Sequence, residues 1–280
     1  MMPKVVRTVE SLRREIARWT LDGLKHAIVP TMGALHEGHL HLVREGFQRA
    51  DRVIVSIFVN PTQFGAREDL GMYPRDEDGD IEKLAAEGVP LVFLPGLEDM
   101  YALHSATAIH MEGPAKAGLE DKFRPHFFDG VATVVAKLFI QSQAHVALFG
   151  EKDYQQLKVV TQMAKDLNLA TEVIGIATHR EEDGMAMSSR NRFLTKSERI
   201  QATAIYKSLM QAAEKIKNGK NPQLATRAAS RSLTTLGFKV DYVAARNAET
   251  LGVPLEDNEP LRLLAAAWLG KTRFIDNIAV

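Results

Sequence analysis

Five short apolar runs, separated by amphipathic stretches of helical period, constrain this chain more than any other feature. They are His26–Thr31 (HAIVPT), Val53–Val59 (VIVSIFV), Val89–Leu94, Ala144–Phe149 (AHVALF) and Thr171–Ala177. Runs this continuous suit strands covered on both faces, as in a parallel sheet. Helical patterns fill the intervals at Gly38–Ala50, Asp80–Glu87, Gly130–Gln143 and Asp153–Asn168. Such alternation means βαβ units, so the sequence predicts an α/β fold with a Rossmann-like doubly wound parallel sheet. Ligands of these sheets sit at the carboxyl ends of the strands.

Two regions break the rhythm. Pro95–Phe128 carries Gly96, Gly113 and Gly118 and shows one strand-like stretch near Ala106–Met111. It reads equally as a binding loop or as a plain surface excursion. After about Arg180 the pattern becomes α+β. Thr195 and Glu198 have capping-box spacing, opening one long helix to about Asn218, and a second helix covers Pro222–Leu236. Strand-like runs follow at Lys239–Ala245, Leu261–Leu269 and Thr272–Ile278, the last two joined by a Gly270-Lys271 hairpin. The expected division is therefore a Rossmann-like domain over 1–177 and a smaller α+β C-terminal domain over 178–280.

Composition narrows the function. Lys+Arg and Asp+Glu are equal at 35, so no basic excess exists to drive nucleic-acid binding. With no cysteine, thiol nucleophiles, Cys-ligated zinc and disulfides are excluded. Met1–Trp19 is charged and helix-like, unlike a signal peptide, and no apolar run nears the ~20 residues of a membrane span.

Four clusters bear chemistry. The first, Pro30–His39 (PTMGALHEGH), follows the first strand and opens a helix. Free N–H groups and the positive dipole end at such a corner favour phosphate. His36 and His39 can project from one face of the first turn and stabilise charge developing on a triphosphate. The second, Asn60-Pro61-Thr62-Gln63, ends the second strand; the Gln63 amide donates and accepts, suiting a hydroxy acid. The third, Gly150–Gln156 (GEKDYQQ), follows the fourth strand. Lys152 there is a phosphate charge, Asp153 a helix cap or ribose ligand, and Gln156 lies one turn on. In the fourth, Met187–Asn191 (MSSRN), Ser188, Ser189 and Arg190 make a triphosphate clamp. It sits where the second domain begins, in a position to close over the others. Zinc is the rival for the histidines, but HEGH places the second His one residue too early for the H-E-x-x-H helix motif, and His41 points elsewhere.

These segments resemble the pantoate–β-alanine ligase family. The similarity rests on PTMGALHEGH, IFVNPTQF (Ile57–Phe64), YPR (Tyr73–Arg75), DGVATVVAKLF (Asp129–Phe139), FGEKDYQQL (Phe149–Leu157) and DGMAMSSRNRFL (Asp183–Leu194). The first and last also resemble the HIGH and KMSKS signatures of the wider nucleotidylyltransferase and class I synthetase superfamily. The resemblance implies a two-step reaction. ATP and pantoate give pantoyl adenylate and pyrophosphate, with Mg2+. The amine of β-alanine then displaces AMP to give pantothenate. By motif position it implies an ATP site of Met32, Gly33, Ala34, Leu35, His36, Glu37, Gly38, His39, Gly150, Glu151, Lys152, Asp153, His179, Met187, Ser188, Ser189 and Arg190. His39, His36, Lys152 and Arg190 would be catalytic, and Gln63 and Gln156 would hold pantoate and β-alanine. It further implies a cytoplasmic homodimer, with no nucleic-acid or membrane partner.

Three departures stand out. His126-Phe127-Phe128 follows Arg124-Pro125 where many members carry Gly-His; His179 replaces a usual aliphatic residue; and Met100–Thr107 is atypical. A backbone contact at 179 would tolerate the change. Two other functions compete. A nucleotidylyltransferase making a dinucleotide or CDP-linked product has no use for paired Gln63 and Gln156, and a non-catalytic nucleotide-binding module needs fewer charge-stabilising groups.

Overall fold

The computed structural model describes residues 1–64, 71, 73–256 and 258–280. It divides into two compact units: Met1–Gly150 with Val159–Ile176, and Glu151–Lys158 with Ala177–Val280.

The first unit is a six-stranded, all-parallel sheet flanked by helices. Its strands are β1 (Lys4–Val6), β2 (His26–Thr31), β3 (Arg52–Ile57), β4 (Leu91–Phe93), β5 (Val146–Gly150) and β6 (Glu172–Ile176), in the order β1-β4-β3-β2-β5-β6. The sheet is buried as its apolar runs require: Ala27, Ile28, Val29, Val53, Ile54 and Val55 exclude solvent completely. Each such Val or Ile contributes ~1.5–3 kcal/mol. The helices are α1 (Val9–Leu21), α2 (Glu37–Phe47), α3 (Glu77–Ala86), α4 (Leu97–Met100), α5 (Glu120–Phe123), α6 (Phe127–Ser142) and α7 (Tyr154–Asp166), the last starting in the second unit. From β2 the chain winds outward through β3 to β4, then returns to the other side of β2 with β5 and β6. The order therefore reverses between β2 and β5, and the crevice at their carboxyl ends is where such a sheet binds its ligand.

The second unit packs α8 (Lys196–Ala202), α9 (Ala204–Lys217) and α10 (Pro222–Thr235) on an antiparallel sheet of β7 (Lys239–Asn247), β8 (Leu261–Leu269) and β9 (Thr272–Ala279). Leu209, Leu233, Phe238 and Leu263 anchor its core. The capping box is present: Thr195 Oγ1 accepts from Glu198 N, and Glu198 Oε2 accepts from Thr195 N. Among the described residues, no helix is long and apolar enough to cross a membrane.

The structure corrects the sequence reading in several places. Met1–Trp19 is not helical throughout: β1 precedes α1 and pairs with β4 at the sheet edge. Three residues are too few to show a period. Ala106–Met111 is not a strand. Its amides bond to side chains of α6 instead, Ile109 N to Thr133 Oγ1 (2.9 Å) and Met111 N to Asp129 Oδ1 (3.0 Å). The long helix expected after Thr195 is two helices meeting at Thr203. That hydroxyl donates to Ile200 O (2.9 Å), a back-bond of the kind that bends helices. Residues 151–158, grouped by sequence with the first domain, pack with the second unit.

Candidate active site

The Pro30–His39 corner joins β2 to α2 at the switch point. Thr31 Oγ1 donates to Ser56 O (2.8 Å) on β3, fixing the strand end. Gly33 and Ala34 then take positive φ values of 84° and 51°, turning the Ala34 and Leu35 amides inward. The carboxylate of Asp80, from α3, fills this concavity: Oδ2 accepts from Ala34 N (2.8 Å) and Oδ1 from Leu35 N (2.7 Å). Successive amides in such conformations form an anion-binding nest. Asp80 is buried, and Lys83 Nζ lies 3.4 Å from it. A Cβ at Gly33 would come within 3.1 Å of Asp80 Oδ2 in addition to its left-handed strain. Leu35 packs into the core of the unit. Ala34 and Leu35 therefore shape the turn from which α2 starts.

His36 is the extended N-cap of α2 and His39 is its third residue. The two rings lie 4.1 Å apart. His36 N donates to His39 Nδ1 (3.3 Å), so a neutral His39 ring carries its proton on Nε2. Glu37 ion-pairs with Arg44, which also holds Glu87, so the acidic residue of this corner brings its own countercharge.

Gln63 lies beside the corner, at the end of the 3₁₀ turn Pro61–Gln63 after β3. It is buried. Its Nε2 donates to Met32 Sδ (3.0 Å), and its Oε1 accepts from Asn60 Nδ2 (3.2 Å). Asn60 also accepts from Tyr101 Oη (2.9 Å) and donates to Gly130 O (3.2 Å). Burial pushes the Tyr101 phenol up, against hydrogen bonds to Thr62 and Asn60 that lower it, so it stays a donor. Arg124 Nη2 donates to Gln63 O (3.1 Å) and stacks 3.6 Å over Phe127. The unusual Phe127 thus braces the arginine that holds the Gln63 backbone, while His126 beside it is exposed.

In the second unit, Glu151–Asp153 form a 3₁₀ turn with Lys152 Nζ 3.6 Å from Asp153 Oδ2; half-buried Gln156 follows on α7. His179 through Met187 form a tight turn in which Met187 N donates to His179 O (3.1 Å). Ser188 caps the 3₁₀ turn Ser189–Phe193, accepting from Arg190 N (3.2 Å), and Arg190 is exposed.

Each unit therefore gathers part of the expected set. Met32–His39 and Gln63 meet in the first, where Gly150 ends β5 beside β2; Glu151–Asp153, Gln156, His179 and Met187–Arg190 belong to the second. The sequence reading missed Asp80, Tyr101 and the Arg124 brace. Asp80 carries one faint signal, a carboxylate one turn before Leu84 on the buried helical face.

A parallel sheet that reverses between β2 and β5, with paired histidines at the helix that follows β2, defines a Rossmann-like α/β enzyme. The pantoate–β-alanine ligase family model matches residues 4–279, and the chain belongs to that family of ligases. It is 53% identical over 279 residues to a pantothenate synthetase of Bradyrhizobium sp. (strain BTAi1) and 54% identical to pantothenate synthetase 2 of Bradyrhizobium diazoefficiens, in both cases over 99% of each chain. The crystal structure of pantothenate synthetase from Thermus thermophilus superposes with a TM-score of 0.92 at 42% identity, covering 98% of each chain. That of pantoate–β-alanine ligase from Francisella tularensis, complexed with β,γ-ATP and β-alanine, superposes with a TM-score of 0.82 at 33% identity, covering 99% of this chain and 97% of that one.

Proposed function

We propose that this enzyme condenses pantoate with β-alanine at the expense of ATP, through a pantoyl adenylate, releasing AMP and pyrophosphate. The observation that carries the reading is the His36–His39 pair at the start of α2, at the switch point and beside Gln63, in a chain of this family. The ligands named for the Francisella relative support ATP and β-alanine as substrates.

The chemistry follows from charge. A pantoate carboxylate oxygen attacks the α-phosphorus and pyrophosphate leaves. No proton need move, but negative charge builds on the phosphates. His39 through Nε2–H, with His36, Lys152 and Arg190, spreads that charge, which makes His39 an electrostatic stabiliser rather than a general acid. Met32–His39, Gly150–Asp153, His179 and Met187–Arg190 are the proposed ATP-binding set. Gln63 and Gln156 hold pantoate, and Gln63 also meets β-alanine. The amine of β-alanine then attacks the acyl carbon, loses a proton and expels AMP. In domain terms, residues 1–177 bind ATP and pantoate and 178–280 act as a lid that keeps water from the adenylate.

Mg2+ belongs to this reading as part of the nucleotide. Among the described residues no group of three His, Asp or Glu is placed to hold a metal, and imidazoles are poor ligands for so hard a cation. The phosphates would carry the ion. A cytoplasmic homodimer with no nucleic-acid or membrane partner completes the proposal, on the family resemblance.

Oxygen tracing tests it. With pantoate labelled in its carboxylate with 18O, one label should appear in AMP and none in pyrophosphate. Unlabelled AMP, or ADP as product, would overturn the adenylate route.

A further inference from the structure

Two segments of the proposed ATP-binding set lie in the second unit, and one dipeptide of β9 is bonded to the frame of both. Asn277 Nδ2 donates to the carbonyl oxygens of Glu151 and Lys152, at 2.9 Å each. Its Oδ1 accepts from Arg262 Nε (2.7 Å), whose Nη2 donates to Glu151 Oε2 (2.9 Å). The Arg262 guanidinium also lies 4.1 Å over the ring of Tyr154, at the start of α7. The neighbouring Asp276 takes Arg180 in a two-pronged ion pair (2.8 and 2.9 Å). Arg180 in turn donates to Asn277 O (3.1 Å) and to Gly184 O (3.0 Å), the turn that leads into Met187–Arg190. Arg262, Asp276 and Asn277 are all buried, with 8, 5 and 2% of their surface exposed.

This network is charge-balanced, two guanidinium groups against two carboxylates. Stability alone does not call for it, since well-packed apolar residues commonly replace buried ion pairs without loss. What such a network supplies is a fixed geometry, because every member is tied to the next. Asparagine suits its centre: one side chain gives two donors for two adjacent carbonyls and one acceptor for Arg262. Aspartate would present oxygen to oxygen, and alanine nothing.

We propose that Asn277 is a positioning residue of the reaction, clamping the Glu151–Lys152 backbone so that the Lys152 ammonium is held where charge develops. It touches no substrate and acts through Lys152. The proposal rests on the functional reading above, in which Lys152 belongs to the ATP site.

The test is single-turnover formation of pantoyl adenylate at saturating ATP and pantoate. Wild type, N277A, N277D, R262K, K152A and the double variant N277A/K152A are compared. N277A should lower the rate ~10–100-fold, the scale of a misplacement near 1 Å, while the amplitude and half-saturation for pantoate stay unchanged. N277D should be no better, although it keeps an acceptor for Arg262. In the K152A background the same change should cost less than about 3-fold, because both act on one group. R262K, which leaves Asn277 in place but loosens its grip, should slow the step in the same direction and serves if N277A does not fold. N277A and R262K rates within about 2-fold of wild type, a loss of amplitude in place of rate, or additive losses in the double variant would overturn the proposal. Wild-type enzyme that forms no adenylate would overturn the functional reading itself, a separate outcome.

Discussion

His39 is fixed before any ligand arrives. The His36 amide donates to its Nδ1, which places the proton of a neutral ring on Nε2. A donor aimed in advance costs no reorganisation as charge develops, which is the condition for strong transition-state stabilisation. His39→Ala should lower the adenylation rate ~10²–10³-fold, read by single turnover; near-full activity would show that the ring has another role. Asp80 acts one layer back. With a carboxylate oxygen on each of two consecutive amides, it holds Gly33 and Ala34 in their left-handed conformation. Asp80→Asn turns one acceptor into a donor facing an N–H. It should cost ~1–3 kcal/mol in urea unfolding and slow adenylation, whereas unchanged stability would mean the turn holds itself. The histidines are legible in the sequence because their residue type and spacing announce them. Asp80 is one of four acids between Asp76 and Asp80, and only the packing of α3 singles it out.

At the scale of elements, the turn proposed to hold pantoate depends on how closely α6 approaches it. A Cβ on Gly130 would fall 2.5 Å from Thr62 O, so only glycine lets the helix reach the Asn60–Gln63 turn, where Asn60 bonds the Gly130 carbonyl. Gly130→Ala should push the two apart, cost ~1–3 kcal/mol and raise half-saturation for pantoate more than for ATP. Equal changes for both substrates would place the damage elsewhere. The strands lining the site are legible because burial on both faces writes a continuous apolar run. What failed was local: β1 is too short to carry a period, the 106–111 segment has a strand's composition but side-chain partners, and the bend at Thr203 comes from one hydroxyl. Asp276 and Asn277, consecutive on β9 and so on opposite faces of its sheet, carry no sign of their partners in the sequence.

At the scale of the molecule, sequence conveys which residues share a strand edge but not which distant segments share a frame. That is why nothing in the composition of β9, near the end of the chain, points to the Glu151–Lys152 turn it holds. The first unit also carries a buried histidine whose burial ties folding to pH. His26, at the start of β2, has its Nε2 on Ser142 O (2.9 Å) and its ring edge-on to His145 at 4.9 Å. Burial holds its pKa below the ordinary 6.5; the Ser142 carbonyl opposes this, and the nearby His145 adds to it. Above that value both folded and unfolded forms are neutral. Below it the unfolded chain takes up a proton that the folded one refuses, so stability should fall, by up to about 1.4 kcal/mol per pH unit, until the folded pKa is reached. Urea midpoints between about pH 7.5 and 5.5 should drop more for wild type than for His26→Gln. Parallel curves would assign the acid response to other groups.

We propose that the corner between β2 and α2 activates a carboxylic acid by adenylation. Exchange of labelled pyrophosphate into ATP measures that step alone, with β-alanine left out. Exchange should depend on pantoate and fall ~10²–10³-fold in His39→Ala. Exchange without pantoate, or none in its presence, would contradict it.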